Sequence, residues 1–389
     1  MNRIYLDHAA STPLDPEVLD AMLPYLRGEF GNASSVHGFG QRARGAIDEA
    51  RVQVAALIGA RDSEIVFTGS GTEADNLAII GVMHSRSGDG RRNVVVSAIE
   101  HHAILNTVKA LDRGQPQVTR VAGDESGRID LARLTEAVDD QTALVSVMLA
   151  NNETGVIQNV PEVARIAKAK GALVHTDAVQ ALGKFPLDVN RLGVDLMTLS
   201  AHKIYGPKGA GVLYVRSGTR MSALVRGGAQ ERNRRAGTEN VAAIAGFGKA
   251  AELADARMAG DMIRIALLRD RLESALIDGT DITVRRNGLA TDRIASTSNL
   301  SFLGVSGEDL LVALDLEGIA VSTGAACAAG SPEPSHVLKA MGLARERVNS
   351  SIRFSLGRST TAEEIDRAVA IVKAAVARLR RTPLERKHR

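Results

Sequence analysis

The residues best able to do chemistry in this chain stand just past short β-forming runs. After EIVFT comes GSGTEADN, a glycine-rich turn offering Gly71, the Thr72 hydroxyl and the N–H groups of a helix start. Such a start binds phosphate through its dipole and its unpaired donors. It lacks the Gly-Lys-Ser/Thr of a P-loop and the full dinucleotide fingerprint, so alone it specifies no ligand. After NVVVSAIE come His101 and His102, and after ALVSVMLA the amides Asn151 and Asn152. After ALVHT comes the carboxylate Asp177, with Gln180 three residues on. The run DLMTLSA leads into Lys203, bracketed by Ser200, His202 and a glycine-rich segment. Singly, each has an ordinary structural explanation: a carboxylate caps helices and a lysine sits in water. Together they fall where open α/β sheets bind ligands, beyond the carboxyl ends of the strands.

A lysine amine, a carboxylate, amide donors, an imidazole and a phosphate cradle are what pyridoxal 5′-phosphate requires. The amine forms a Schiff base, the donors meet the phenolic oxygen and a flat group covers the ring. A carboxylate facing the ring nitrogen raises that nitrogen's pKa, keeps it protonated and makes the ring an electron acceptor. A second feature stands apart. The only cysteine, Cys327, lies in STGAACAAGSPEPSHVL (322–338), among small residues and prolines. A structural cysteine usually packs as a small hydrophobe; a reactive thiolate needs access and a proton acceptor nearby.

These residues need a scaffold. Strand candidates run over 63–68, 93–100, 117–122, 143–150, 172–179, 195–201 and 209–215, several of them apolar almost throughout. That texture fits a mostly parallel seven-stranded sheet buried on both faces. Amphipathic stretches such as TEADNLAIIGVMHSRS and VPEVARIAKAKG alternate with them, the mark of an α/β domain with right-handed crossovers. After about residue 255 the order becomes mixed, with a helix predicted over 260–279, strands in ASTSNLSFLG, GIAVSTGAAC and SSIRFSLG, and a last helix over 362–381. The expected organisation is a large domain over 16–255 and a smaller α+β domain built from 1–15 and 256–389.

The motifs HTDAVQ, SAHKIYGPKGAGVLYVR and YLDHAASTP, with the cysteine loop and RFSLGR, resemble the cysteine desulfurases. The resemblance is to the NifS/IscS-like branch of the class-V aminotransferase superfamily, fold-type I enzymes dependent on pyridoxal phosphate, and it covers essentially the whole chain. It implies that Lys203 holds the cofactor, that Asp177 pairs with the ring nitrogen, and that Gln180 and Asn152 face the phenolic oxygen. His101 would stack on the ring and help move protons. Gly71, Thr72, Ser200 and His202 would hold the phosphate, and in a homodimer Thr238 of the partner subunit would complete that cup. Arg353 would grip the substrate carboxylate, beside Asn152. The implied reaction takes sulfur from L-cysteine onto Cys327 as a persulfide, releases alanine, and delivers the sulfur to an acceptor protein. The long cysteine loop resembles the branch that serves iron–sulfur scaffolds. Against the family pattern, Ala325 replaces a serine two positions before the cysteine, Ala33 a proline and Ala201 a glycine.

Composition narrows the rest. The chain of 389 residues is 44% hydrophobic and 24% charged, ordinary for a globular protein. One cysteine forms no internal disulfide, and neither a secretory leader nor a membrane-length apolar run is evident, so a cytoplasmic location is expected. The tail 378–389 carries six Lys/Arg against one Glu, without which the formal charge of +3 turns slightly negative. That tail is a candidate docking surface for an acidic partner. The absence of Trp and the scarcity of other aromatics argue against direct nucleic-acid binding by base stacking. The histidines show no ligand spacing with the cysteine, so no metal is expected. An aminotransferase or a selenocysteine lyase remains the nearest alternative enzyme, and only the first would dispense with a nucleophilic cysteine.

Overall fold

The computed structural model describes residues 3–86, 88–112, 117–324 and 334–381. After a short strand β1 (Ile4–Tyr5), seven strands form one sheet: β2 (Ile65–Thr68), β3 (Asn93–Ser97), β4 (Val118–Val121), β5 (Thr142–Ser146), β6 (Leu173–Asp177), β7 (Leu196–Ser200) and β8 (Gly211–Val215). Their order across the sheet is β2-β8-β7-β6-β5-β3-β4. Strand β8 runs antiparallel to both neighbours and every other pairing is parallel. All seven coincide with runs expected from sequence and are shorter than them; β5 alone starts outside its run, one residue earlier at Thr142.

Alternation along each strand covers both faces of this sheet. Val66, Val94, Val96, Leu144, Leu196 and Leu213 pack with Leu77, Ala78 and Val82 of the helix Gly71–Arg86. Their neighbours Phe67, Val95, Val145, Val174 and Met197 face the opposite core, with Ile47, Val54 and Phe247. Burial on both sides is why the strands read as unbroken apolar runs. On that second face the helix Gly38–Leu57 crosses the helix Val241–Ile277. A Cβ on Gly248 would come within 2.5 Å of the Ala50 Cα, so glycine permits the close crossing.

The helix expected over 260–279 is the second half of that 37-residue helix Val241–Ile277. Its first half is rich in Ala and Gly and presents no clear amphipathic stripe, which hid it from the sequence. Ala243, Phe247 and Ala251 enter the large core, whereas Ile265, Leu268, Leu272 and Leu276 enter a second one. That second core lies against a three-stranded antiparallel sheet of β9 (Val284–Arg286), β10 (Thr297–Phe302) and, beyond a short β11 (Ile319–Ala320), β12 (Ser351–Ser355), with β10 central. Strand β9 went unseen because a single valine followed by two arginines carries no strand signal. Strand β1 pairs parallel with β11, and Ile4 and Leu6 bury in this core. No helix among the described residues is long and apolar enough to cross a membrane.

Candidate active site

Lys203 ends the single 3₁₀ turn Ala201–Lys203 that leaves β7. The next turn is held in an uncommon conformation: Tyr205 has φ 66°, in the left-handed region. Its N–H donates to Thr12 Oγ1 at 2.8 Å, and the Arg358 guanidinium lies 4.3 Å over its ring. Such contacts keep a strained backbone in place. Lys203 Nζ then reaches back to the N-terminal segment, donating to the carbonyl oxygens of Ala9 at 2.6 Å and Ala10 at 2.7 Å. Burial, and next the charge of Arg353, lower its amine to about 8, while Asp177 and Asp7 oppose the fall. An amine so placed has a far larger neutral, nucleophilic fraction near neutral pH than an ordinary lysine.

Asp177 closes β6, in register with Thr198 of β7. Its Oδ1 accepts the Val179 N–H at 2.9 Å. Burial holds its carboxyl above the usual range, against the pull of that N–H and of Lys203. Behind it lies Asp75, on the buried side of the helix Gly71–Arg86, 2% exposed and with no hydrogen bond to its Oδ1 among the described residues. Burial and the neighbouring Asp177 push Asp75 well up, so of the two Asp177 is the one that carries charge. His175 Nε2 stands 3.7 Å from Asp75 Oδ1, while its ring nitrogens meet Ser146 Oγ at 2.8 Å and Thr198 Oγ1 at 3.0 Å. Burial keeps that imidazole neutral, at about 3.

These groups border a cavity of about 260 Å³ lined by Gly71, Thr72, His101, Asn152, Asp177, Gln180, Ser200, His202 and Lys203. The first turn of the helix Gly71–Arg86 opens onto it. A Cβ on Gly71 would lie 3.0 Å from Val179 Cγ2 and 3.5 Å from Ser200 Cβ, so glycine keeps this wall open. Ser70 Oγ accepts the Glu73 N–H and Glu73 Oε2 accepts the Gly69 N–H, fixing the turn. Across the cavity His101 caps the helix His102–Leu111, its Nδ1 accepting the Ala103 N–H at 3.2 Å. That bond assigns the ring proton to Nε2. Burial, then Lys203, lower His101 to about 4, so it is neutral. His202 Nδ1 sits 3.2 Å from Ser11 Oγ.

Two expected residues, Arg353 and Thr238, stand apart from this lining. Arg353 is buried beside it, Nη1 donating to the Asn152 carbonyl at 2.9 Å and Nη2 to Asp7 Oδ1 at 2.8 Å. Thr238 is exposed on the surface. Cys327 lies outside the described residues. Gly324 and Ser335, on either side of 325–333, both meet Glu153: Ser335 Oγ donates to its Oε2, and a Cβ on Gly324 would fall 2.5 Å from that oxygen. Burial raises the Glu153 carboxyl to about 7, against the hydrogen bond from Ser335.

Sequence reasoning missed Asp75, Glu153 and the carbonyls of Ala9 and Ala10. An acid on the apolar side of an amphipathic helix would have exposed Asp75. Carbonyl oxygens have no residue-type signal at all.

The donor set fits pyridoxal 5′-phosphate. It combines an amine, an opposed carboxylate, a neutral imidazole, hydroxyls at a helix start and the side-chain amide of Asn152, whose buried Oδ1 has no partner among the described residues.

Comparison with known proteins agrees. The family profile for aminotransferase class-V matches residues 4–368. Cysteine desulfurase IscS of Dictyoglomus turgidum is 45% identical over 381 residues, covering 97% of this chain and 95% of that protein. The solved structure of a NifS-like protein superposes with a TM-score of 0.90 at 36% identity, over 97% of this chain and 100% of the other. A structure of SspA in complex with cysteine gives a TM-score of 0.80 at 32% identity, over 92% of this chain and 100% of that one. The chain belongs to the aminotransferase class-V family, among its cysteine desulfurases.

Proposed function

We propose that the cavity holds pyridoxal 5′-phosphate and that the protein uses it to take sulfur from L-cysteine and pass it, through Cys327, to an acceptor. The observation that carries this reading is the meeting of Lys203, Asp177 and His101 with Gly71, Thr72, Ser200 and His202 around one cavity. Lys203 would form the Schiff base, Asp177 face the ring nitrogen, and Gln180 and Asn152 the phenolic oxygen. His101 would lie against the ring, and the hydroxyls of Thr72 and Ser200 with His202 would bind the phosphate. When bound, the cofactor supplies an electron sink for negative charge at the substrate Cα.

The chain's own residues do the rest. Arg353 binds the substrate carboxylate. Lys203 Nζ, brought down to about 8, takes the α-proton. His101 keeps its proton on Nε2, where it can be handed on. The Cys327 thiolate attacks the sulfur of L-cysteine: an S–S bond forms as the C–S bond breaks, and the former Cβ takes a proton to give alanine. In a homodimer, Thr238 of the partner subunit would complete the phosphate cup. The division into residues 16–255 and 1–15 with 256–389 fits the two cores, with the helix Val241–Ile277 belonging to both. An iron–sulfur scaffold in the cytoplasm is the acceptor this reading favours.

Reconstitution with pyridoxal phosphate, borohydride reduction and peptide mass mapping test the assignment. The cofactor should be found on the peptide holding Lys203; attachment elsewhere, or none, would refute it.

A further inference from the structure

A second lysine is wired to the first. Lys184 Nζ donates to Gln180 Oε1 at 2.9 Å, Gln180 Nε2 donates to the Ala9 carbonyl oxygen at 2.9 Å, and Lys203 Nζ donates to that same oxygen at 2.6 Å. The backbone supports this wiring. Gly183 has φ 67°, and a Cβ there would fall 2.9 Å from Ile204 Cγ2, so the turn before Lys184 packs directly on the turn after Lys203. Lys184, Lys203 and His8 also line a small cavity of about 30 Å³ beneath the site.

We propose that Lys184 is a positioning residue: by holding Gln180 Oε1 it fixes the side-chain amide so that Nε2, and not the oxygen, is turned to the Ala9 carbonyl and to the cavity. This rests on the cofactor reading given above. An amide has one acceptor end and one donor end, so with the oxygen turned to Lys184 the N–H groups are the end left facing the other way. A donor on the oxygen also polarises the amide and strengthens what its N–H can give. Burial, with Lys203 and Arg353, draws the Lys184 amine down to about 7. Protonated or neutral, it keeps an N–H for Gln180. Around the pair, Asp177 and Asp7 favour the charged form of Lys203, while Arg353 disfavours it; Lys184 in turn helps hold His8 neutral.

Two measurements test the proposal. In cofactor-free protein, a thermal-unfolding cycle over Lys184→Met and Gln180→Leu reads the bond itself. The double variant should lose less than the two single losses combined, and strict additivity would overturn the proposal whether or not the protein binds cofactor. In protein loaded with pyridoxal phosphate, the pH midpoint of the visible absorbance reads the orientation. A hydrogen bond to the phenolic oxygen draws off charge that otherwise holds the Schiff-base proton. Weakening it in Lys184→Met should raise that midpoint by about half a unit and weaken cofactor binding about 3- to 10-fold, the loss of one hydrogen bond. Lys184→Arg should restore both. An unmoved midpoint in Lys184→Met overturns the proposal while leaving the cofactor assignment intact; a wild type that binds no cofactor removes the functional reading instead.

Discussion

Arg353 Nη2 donates to Asp7 Oδ1 at 2.8 Å, tying β12 to the N-terminal segment that also supplies the Ala9 and Ala10 carbonyls. Its Nη1 holds the Asn152 carbonyl, and its Nε has no partner among the described residues. A planar fork braced on two sides is preorganised for a carboxylate, as a lysine ammonium is not. Arg353→Lys is therefore expected to raise KM for L-cysteine about 10- to 100-fold, the loss of a charge-assisted bond, with a smaller change in kcat. Steady-state kinetics check it; an equal fall in kcat at constant KM would speak against substrate binding.

Lys203 titrates near 8, lowered by burial. The rate of Schiff-base formation with added cofactor should rise with pH and level off just above that value, because only the neutral amine attacks. Stopped-flow absorbance across pH 6–10 reads this. Lys203→Ala should leave no covalent cofactor and lower turnover at least about 10³-fold.

His101, neutral at about 4 and held by the Ala103 N–H, stays uncharged across the working range. Replacing it with Gln should lower kcat about 10²-fold without moving the pH limb set by Lys203. A limb that vanished with the imidazole would transfer that titration to His101.

Glu153 gives a stability signature. Its folded carboxyl keeps its proton up to about 7, against an ordinary value of 4.5. Between those values the folded protein binds more protons than the unfolded chain, so stability falls as pH rises through that window. The contribution is present below about 4.5 and lost by about 7, and amounts to roughly 3 kcal/mol for a fully buried group. Glu153→Gln should flatten this slope and stabilise the protein at pH 8. Denaturant unfolding at several pH values measures it, and an unchanged slope would show that the carboxyl titrates normally.

Much of the site was legible because functional side chains at strand ends follow β-branched runs with a clear signature. Asp177 ends β6 and Lys203 ends the turn that leaves β7, and the pairing of these two strands brings them close. What the sequence withheld has physical reasons. Ala9 and Ala10 act through carbonyls, which every residue has. Asp75 left only the trace of an acid on the apolar side of its helix, and nothing in the sequence ties it to Asp177. Lys184 reads as an ordinary charged residue four positions after Gln180, and only the hydrogen bond between them gives it meaning. The long helix Val241–Ile277 was seen by half, since small residues pack between neighbours without forming a stripe.

Whether Cys327 receives the sulfur is tested most directly by mass spectrometry of the cofactor-loaded protein after exposure to L-cysteine without reductant. The wild type should gain a sulfur atom on the peptide holding Cys327 and release alanine. Cys327→Ala should keep the visible spectrum and make no alanine by sulfur transfer. Alanine formed by that variant at the wild-type rate would contradict the role given to Cys327.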